Sequence, residues 1–165
     1  MTEISRRITP LRAALTVLVL ATATIAGAWV FESFGYLPCE LCLQQRWAYY
    51  VGVPVAALAV ALAWRGSNGG ARLGLALLAV VFFGSAVFGA YHAGVEWGFW
   101  PGPTGCTGSA GAPAASMDAF MSQLQTVKVV RCDQVAIRIL GLSLAGWNAV
   151  ISTFMTVVAL AGARR

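Results

Sequence analysis

Charge is what this sequence has least of. Only 10% of its 165 residues are Asp, Glu, Lys or Arg, against 59% that are hydrophobic, where an ordinary globular chain carries about a quarter charged residues. That scarcity excludes a conventional soluble domain. The few charges also cluster, leaving 19 residues without one between Arg12 and Glu32, 18 between Arg46 and Arg65, 23 between Arg72 and Glu96, and 25 between Arg138 and Arg164. A hydrocarbon core of about 30 Å is crossed by roughly 20 apolar helical residues. In lipid the backbone must satisfy its own hydrogen bonds, so each stretch reads as a helix. The expected fold is all-α: an integral membrane four-helix bundle forming a single domain over 1–165, with spans at about 11–31, 47–64, 73–93 and 140–161.

Other absences narrow the class. A net charge of +5 would suit nucleic acid, but no basic stripe is interleaved with exposed aromatics, so no nucleic-acid partner is expected. No internal repeat marks a solenoid. The basic residues follow the spans instead. With both termini in the cytoplasm, that side holds Arg6, Arg7, Arg12, Arg65, Arg72, Arg164 and Arg165. The other side holds Arg46, Lys128, Arg131 and Arg138 with five of the six acids, which fits the positive-inside rule. Arg6, Arg7, the apolar stretch from Ala13 and Ala26-Gly27-Ala28 also fit a cleaved secretory signal. Cleavage would leave three spans and put Arg164 and Arg165 on the wrong side, so the first span is retained.

Trp29 closes the first span, while Trp47, Tyr49 and Tyr50 open the second and Trp64 ends it, as interfacial aromatic anchors do. Pro54 is expected to kink that span, and Gly52 and Ala56 to admit a neighbouring helix closely. Gly66 to Gly70 reads as a tight cytoplasmic turn. Two external loops remain, 32–46 and 94–138. The longer is rich in Gly and Pro from Pro101 to Pro113. After a capping Ser116, its Met117, Phe120, Met121 and Leu124 make the apolar stripe of a short amphipathic helix. Such a stripe packs on protein or lies flat against membrane lipid, and the pattern leaves both open.

No cysteine lies within a span. Cys39 and Cys42 fall in the first external loop, Cys106 and Cys132 in the second. Cysteines scattered through the helices would be small apolar filler; two in each loop on the oxidising side read as two redox pairs. Four cysteines allow three connectivities. Cys39 with Cys42 is the easiest local pairing, leaving Cys106 with Cys132. No metal is expected, because the second closely spaced pair of a structural zinc site is missing. Cys39-Glu40-Leu41-Cys42 precedes a helix, whose N-terminal dipole favours thiolate over thiol. Arg46, about one turn on, adds positive potential or simply anchors the helix in the interface. The Cys106–Cys132 pair is a loop staple worth about 3 kcal/mol, or a disulfide that another protein's thiolate attacks at Cys106 among its flanking glycines.

The residues Tyr36-Leu37-Pro38-Cys39-Glu40-Leu41-Cys42 through Gln45-Arg46 resemble the disulfide bond formation protein B (DsbB) family, bacterial inner-membrane oxidases. The resemblance continues at Tyr91-His92-Ala93-Gly94-Val95-Glu96 and Gly102-Pro103-x-x-Cys106. It ends with Cys132-Asp133 through Gly141-Leu142-Ser143-Leu144-Ala145-Gly146-Trp147-Asn148. Arg131 stands where that pattern leads one to expect proline. The resemblance implies both termini in the cytoplasm, the cysteines on the periplasmic side, and bound ubiquinone or menaquinone from the quinone pool beside the first pair. It implies that Cys106 forms a mixed disulfide with a periplasmic thioredoxin-like partner of the DsbA type. Electrons then pass through Cys132 and Cys39 to Cys42, with Arg46 holding the quinone oxygen. His92, the one histidine, sits at the external end of the third span. It either delivers protons to the quinone or serves as an interfacial hydrogen-bonding residue.

Two rival readings remain. The vitamin K epoxide reductase family is similar in redox logic but carries its C-x-x-C at the last helix, whereas here it follows the first. A membrane scaffold whose cysteines only staple loops has the same spacing without redox turnover.

Overall fold

The computed structural model describes residues 9–103, 116–117, 121 and 131–164. Four long helices dominate: α1 (Pro10–Ser33), α2 (Glu40–Trp64), α3 (Asn68–Glu96) and α4 (Leu144–Ala163). All four are long and apolar enough to cross a membrane. A two-residue hairpin, β1 (Arg138–Ile139) with β2 (Leu142–Ser143), precedes α4.

α1 starts where Thr9 caps it, its hydroxyl accepting from the Arg12 amide at 3.3 Å, with Pro10 in the first turn where its missing N–H costs nothing. α1 and α3 both lie between α2 and α4 and also touch each other. The core is built of small and branched residues: Ala13, Val17 and Ala21 from α1, Ala56 and Ala59 from α2, Leu75, Leu78 and Phe82 from α3, and Met155 and Ala159 from α4. Large apolar side chains such as Val80, Phe83, Val157 and Leu58 point outward, which suits lipid. Gly52 admits α3 as expected: a Cβ there would stand 2.6 Å from Phe82 Cζ. α2 runs on through Pro54 to Trp64. At the end where α1 closes and α2 opens, Trp29 stacks on Tyr50 and Trp47 meets Tyr50 edge-on.

The boundaries differ from the sequence expectation in three places. α2 begins at Glu40 rather than near Trp47, because Cys39 caps it before the apolar run starts. α3 begins at Asn68, so Gly69 and Gly70 are helical and the turn shrinks to 65–67. At that end Arg72 Nε donates to the Ala163 carbonyl at 2.9 Å, a cation on the last turn of α4. The stretch from Leu140, read as helix, turns back instead. Leu140 (φ 53) and Gly141 (φ 85) are both left-handed, the backbone of a tight two-residue hairpin turn, and Ser143 then caps α4 by accepting from the Gly146 amide. Of the short helix expected in the long loop, Met117 and Met121 are helical and exposed; Phe120 and Leu124 lie outside the described residues.

Candidate functional site

The C-x-x-C is wound into the first turn of α2. Pro38 keeps the chain extended before it, and Cys39 occupies the N-cap, its sulfur accepting from the Cys42 amide at 3.3 Å. Cys42 then falls one turn in, and the two sulfurs lie 2.6 Å apart with both cysteines free. The Cys42 thiol hydrogen bond pulls Cys39 down from an ordinary 9.0 to about 5, burial opposing it and His92 assisting. A sulfur at a helix N-terminus also gains from the macrodipole.

The pair has two different sides. On one, Cys39, Leu41 and Cys132 form a buried cluster with Cys42, Phe88 and Tyr91 packed against it. Cys132 is 1% exposed and disulfide-bonded, and beyond it Arg131 forms a two-pronged ion pair with Asp133. Cys106 lies outside the described residues. On the other side, Cys42 forms part of the wall of an open cavity of about 490 Å³ lined mainly by α1, α2 and α4. Its lining is apolar (Leu20, Phe31, Trp147, Ile151) except at Thr24, Tyr36, Gln45, Arg46, Tyr49, Asn148 and the cysteine itself. A roomy apolar pocket with a few converging polar groups is what binds a small organic ligand.

Arg46 follows Cys42 by one turn and lines this cavity, its guanidinium 2.7 Å from Glu32 Oε2 with the side chain 13% exposed. Glu32 belongs to the last turn of α1, not to a loop. His92 is elsewhere: it is 1% exposed, not on the cavity wall, with Nε2 3.7 Å from Cys39 Sγ and Nδ1 2.7 Å from Gln45 Nε2. Nε2 also stands 4.0 Å from Glu96 Oε1, and Glu96 Oε2 is buried without a hydrogen-bond partner among the described residues. The donor atoms of Cys39, Cys42 and His92 lie within 4.8 Å of one another, three donors where a closed zinc site takes four.

Sequence reasoning missed the polar seam behind the pair. Gln45, Asn148, Tyr49, Ser85 and Ser152 join α2, α3 and α4 by buried hydrogen bonds. The signal was present in Asn148, an amide inside an expected span, where such side chains hydrogen-bond across helices.

Fold and site together define a helical membrane protein that sets a thiol pair between a buried, disulfide-bonded cysteine and an apolar cavity. The family profile described as "Disulfide bond formation protein DsbB" matches residues 10–162, and the chain belongs to that family of membrane disulfide-formation oxidoreductases. It is 25% identical over 139 residues to an uncharacterized protein of Rickettsia prowazekii (strain Madrid E), covering 84% of this chain and 76% of that one. No solved structure matches it.

Proposed function

We propose that this protein reoxidises a thioredoxin-like dithiol partner of the DsbA type and delivers the electrons to a membrane quinone, ubiquinone or menaquinone. In this reading it sits in the bacterial inner membrane with both termini cytoplasmic and the cysteines periplasmic, as the arginine bias favours. The observation that carries the reading is the placement of the first pair: Cys39 is buried in one cluster with Cys132, while Cys42, packed against that cluster, also forms part of the cavity wall.

The relay is a series of thiolate displacements. A partner thiolate attacks Cys106, and the Cys106–Cys132 bond breaks with Cys132 leaving as thiolate. The partner's second thiolate attacks the sulfur bonded to Cys106, so the partner leaves oxidised and the second pair reduced. With Cys39 and Cys42 joined as a disulfide, Cys132 attacks Cys39 and Cys42 departs as thiolate. Cys106 then attacks Cys132, restoring their bond and releasing Cys39. Two electrons and two protons have moved to the first pair.

The cavity residues fit a quinone: an apolar wall for ring and tail, and Arg46 with Gln45, Tyr49 and Asn148 as hydrogen-bonding groups for its oxygens. A quinone supplies an acceptor for two electrons and two protons. Arg46 holds positive charge near Cys42, and Glu32 orients the guanidinium through their ion pair. His92, against Cys39 rather than in the cavity, serves the thiol. The test is quinone reduction by purified protein supplied with a reduced thioredoxin-like donor. Donor-dependent turnover lost in Cys42→Ser supports the reading; no turnover in the wild-type protein ends it.

A further inference from the structure

The buried polar seam has a direction. It starts at the Ser85 carbonyl, a group that only accepts, 3.5 Å from Asn148 Nδ2. The other end of the same amide, Asn148 Oδ1, accepts from the Tyr49 hydroxyl and from Ser152 Oγ. The hydroxyls can serve either end of an amide but the carbonyl can only accept, so the satisfying orientation turns the nitrogen towards it. Asn148 Nδ2 therefore also donates to Gln45 Oε1, at 2.7 Å. That contact in turn fixes the Gln45 amide, whose nitrogen faces His92 Nδ1 at 2.7 Å. A donor facing Nδ1 requires a lone pair there. In a neutral imidazole the single proton then sits on Nε2, which faces Cys39 Sγ at 3.7 Å, with Glu96 Oε1 further off at 4.0 Å.

We infer that Gln45 and Asn148 are positioning residues that hold His92 as its Nε2–H tautomer, aiming its ring proton at the Cys39 sulfur. The opposite tautomer would turn a lone pair towards a thiolate. The use of this arrangement rests on the thiol relay proposed above, where Cys39 carries negative charge each time it is released. A seam that only tied helices together would have no need of one tautomer.

His92 is the only histidine in the chain, so [15N]histidine labelling of the full-length protein in bilayers reports a single ring. In reduced wild-type protein at about pH 8, above the ordinary histidine range, the expected spectrum has Nε2 protonated and Nδ1 bare. The reverse tautomer, or a doubly protonated ring, overturns the inference. Gln45→Glu sets a carboxylate against Nδ1 and is expected to draw a proton onto it; a spectrum like wild type removes Gln45 from the role. Asn148→Leu leaves the Gln45 amide free to turn over, so both tautomers are expected, and a pure Nε2–H signal removes Asn148. Should Gln45→Glu fail to fold, the wild-type and Asn148→Leu spectra still decide. The measurement uses neither quinone nor partner, so it can fail while the relay stands, and the relay can fail while it holds.

Discussion

Cys39 should keep its thiolate well into acid. The sulfur is drawn from 9.0 to about 5, first by the Cys42 thiol and less by His92. At pH 7 it is then about 99% ionised against about 1% for an ordinary thiol. The gain in rate is smaller, because intrinsic nucleophilicity falls with a slope of about 0.4–0.5, which costs roughly 60-fold over this difference. Near pH 7 the two effects almost cancel. At about pH 5.5 they do not: Cys39 is still about three-quarters ionised, an ordinary thiol about 0.03%, and the net advantage is about 40-fold. The assay is alkylation of the reduced protein with a small reagent, Cys39 followed by peptide mass spectrometry from pH 4 to 9 in steps of about one. Because Cys39 is only 5% exposed, the shape of the profile is the readout. It should be level above about pH 6 and half-maximal near 5. Cys42→Ala should move the midpoint up more than His92→Ala does. A rate that drops about tenfold for each pH step below 8, as for an ordinary thiol, would refute the argument.

Arg46→Lys keeps a positive charge but loses the planar fork, so the apparent Michaelis constant for quinone should rise about tenfold, the worth of one charge-assisted hydrogen bond; an unchanged value returns Arg46 to membrane anchoring. A partner whose second cysteine is replaced by serine should be held on Cys106 as a mixed disulfide on non-reducing gels, and Cys106→Ser should hold none. Full partner oxidation by the Cys106→Ser protein would end the relay. Gly52→Ala drives a methyl to within 2.6 Å of the Phe82 ring and should cost about 1–3 kcal/mol of stability, read as a lower melting midpoint; no change would mean the ring moves aside freely. An impermeant thiol reagent on intact cells should reach reduced Cys106 but not Gly69→Cys, and the opposite pattern inverts the topology.

The parts legible in the sequence are those each residue settles by itself. Whether a stretch can enter lipid depends on its own side chains, so the charge gaps located all four spans without knowledge of their neighbours. Where α2 begins was not of this kind. Glu40 and Arg46 ended the apolar window, but the helix is started by a cap at Cys39, and a cap is a local hydrogen bond that hydropathy does not register. The apolar run at Ile139-Leu140-Gly141-Leu142 carried a helix-like composition, yet two consecutive left-handed residues fold it into a hairpin.

The sequence by itself determined a four-span membrane chain with a C-x-x-C in the loop before its second span. Only the tertiary structure decided what that motif touches. His92 lies 53 positions from Cys39, Asn148 lies 103 from Gln45, and Glu32 lies 14 from Arg46 across a turn. Each of those contacts depends on which faces of two packed helices meet. That is set by close approaches such as Gly89, where an added Cβ would stand 2.9 Å from Asn148 Nδ2, and no periodicity along one helix encodes the rotation of its neighbour.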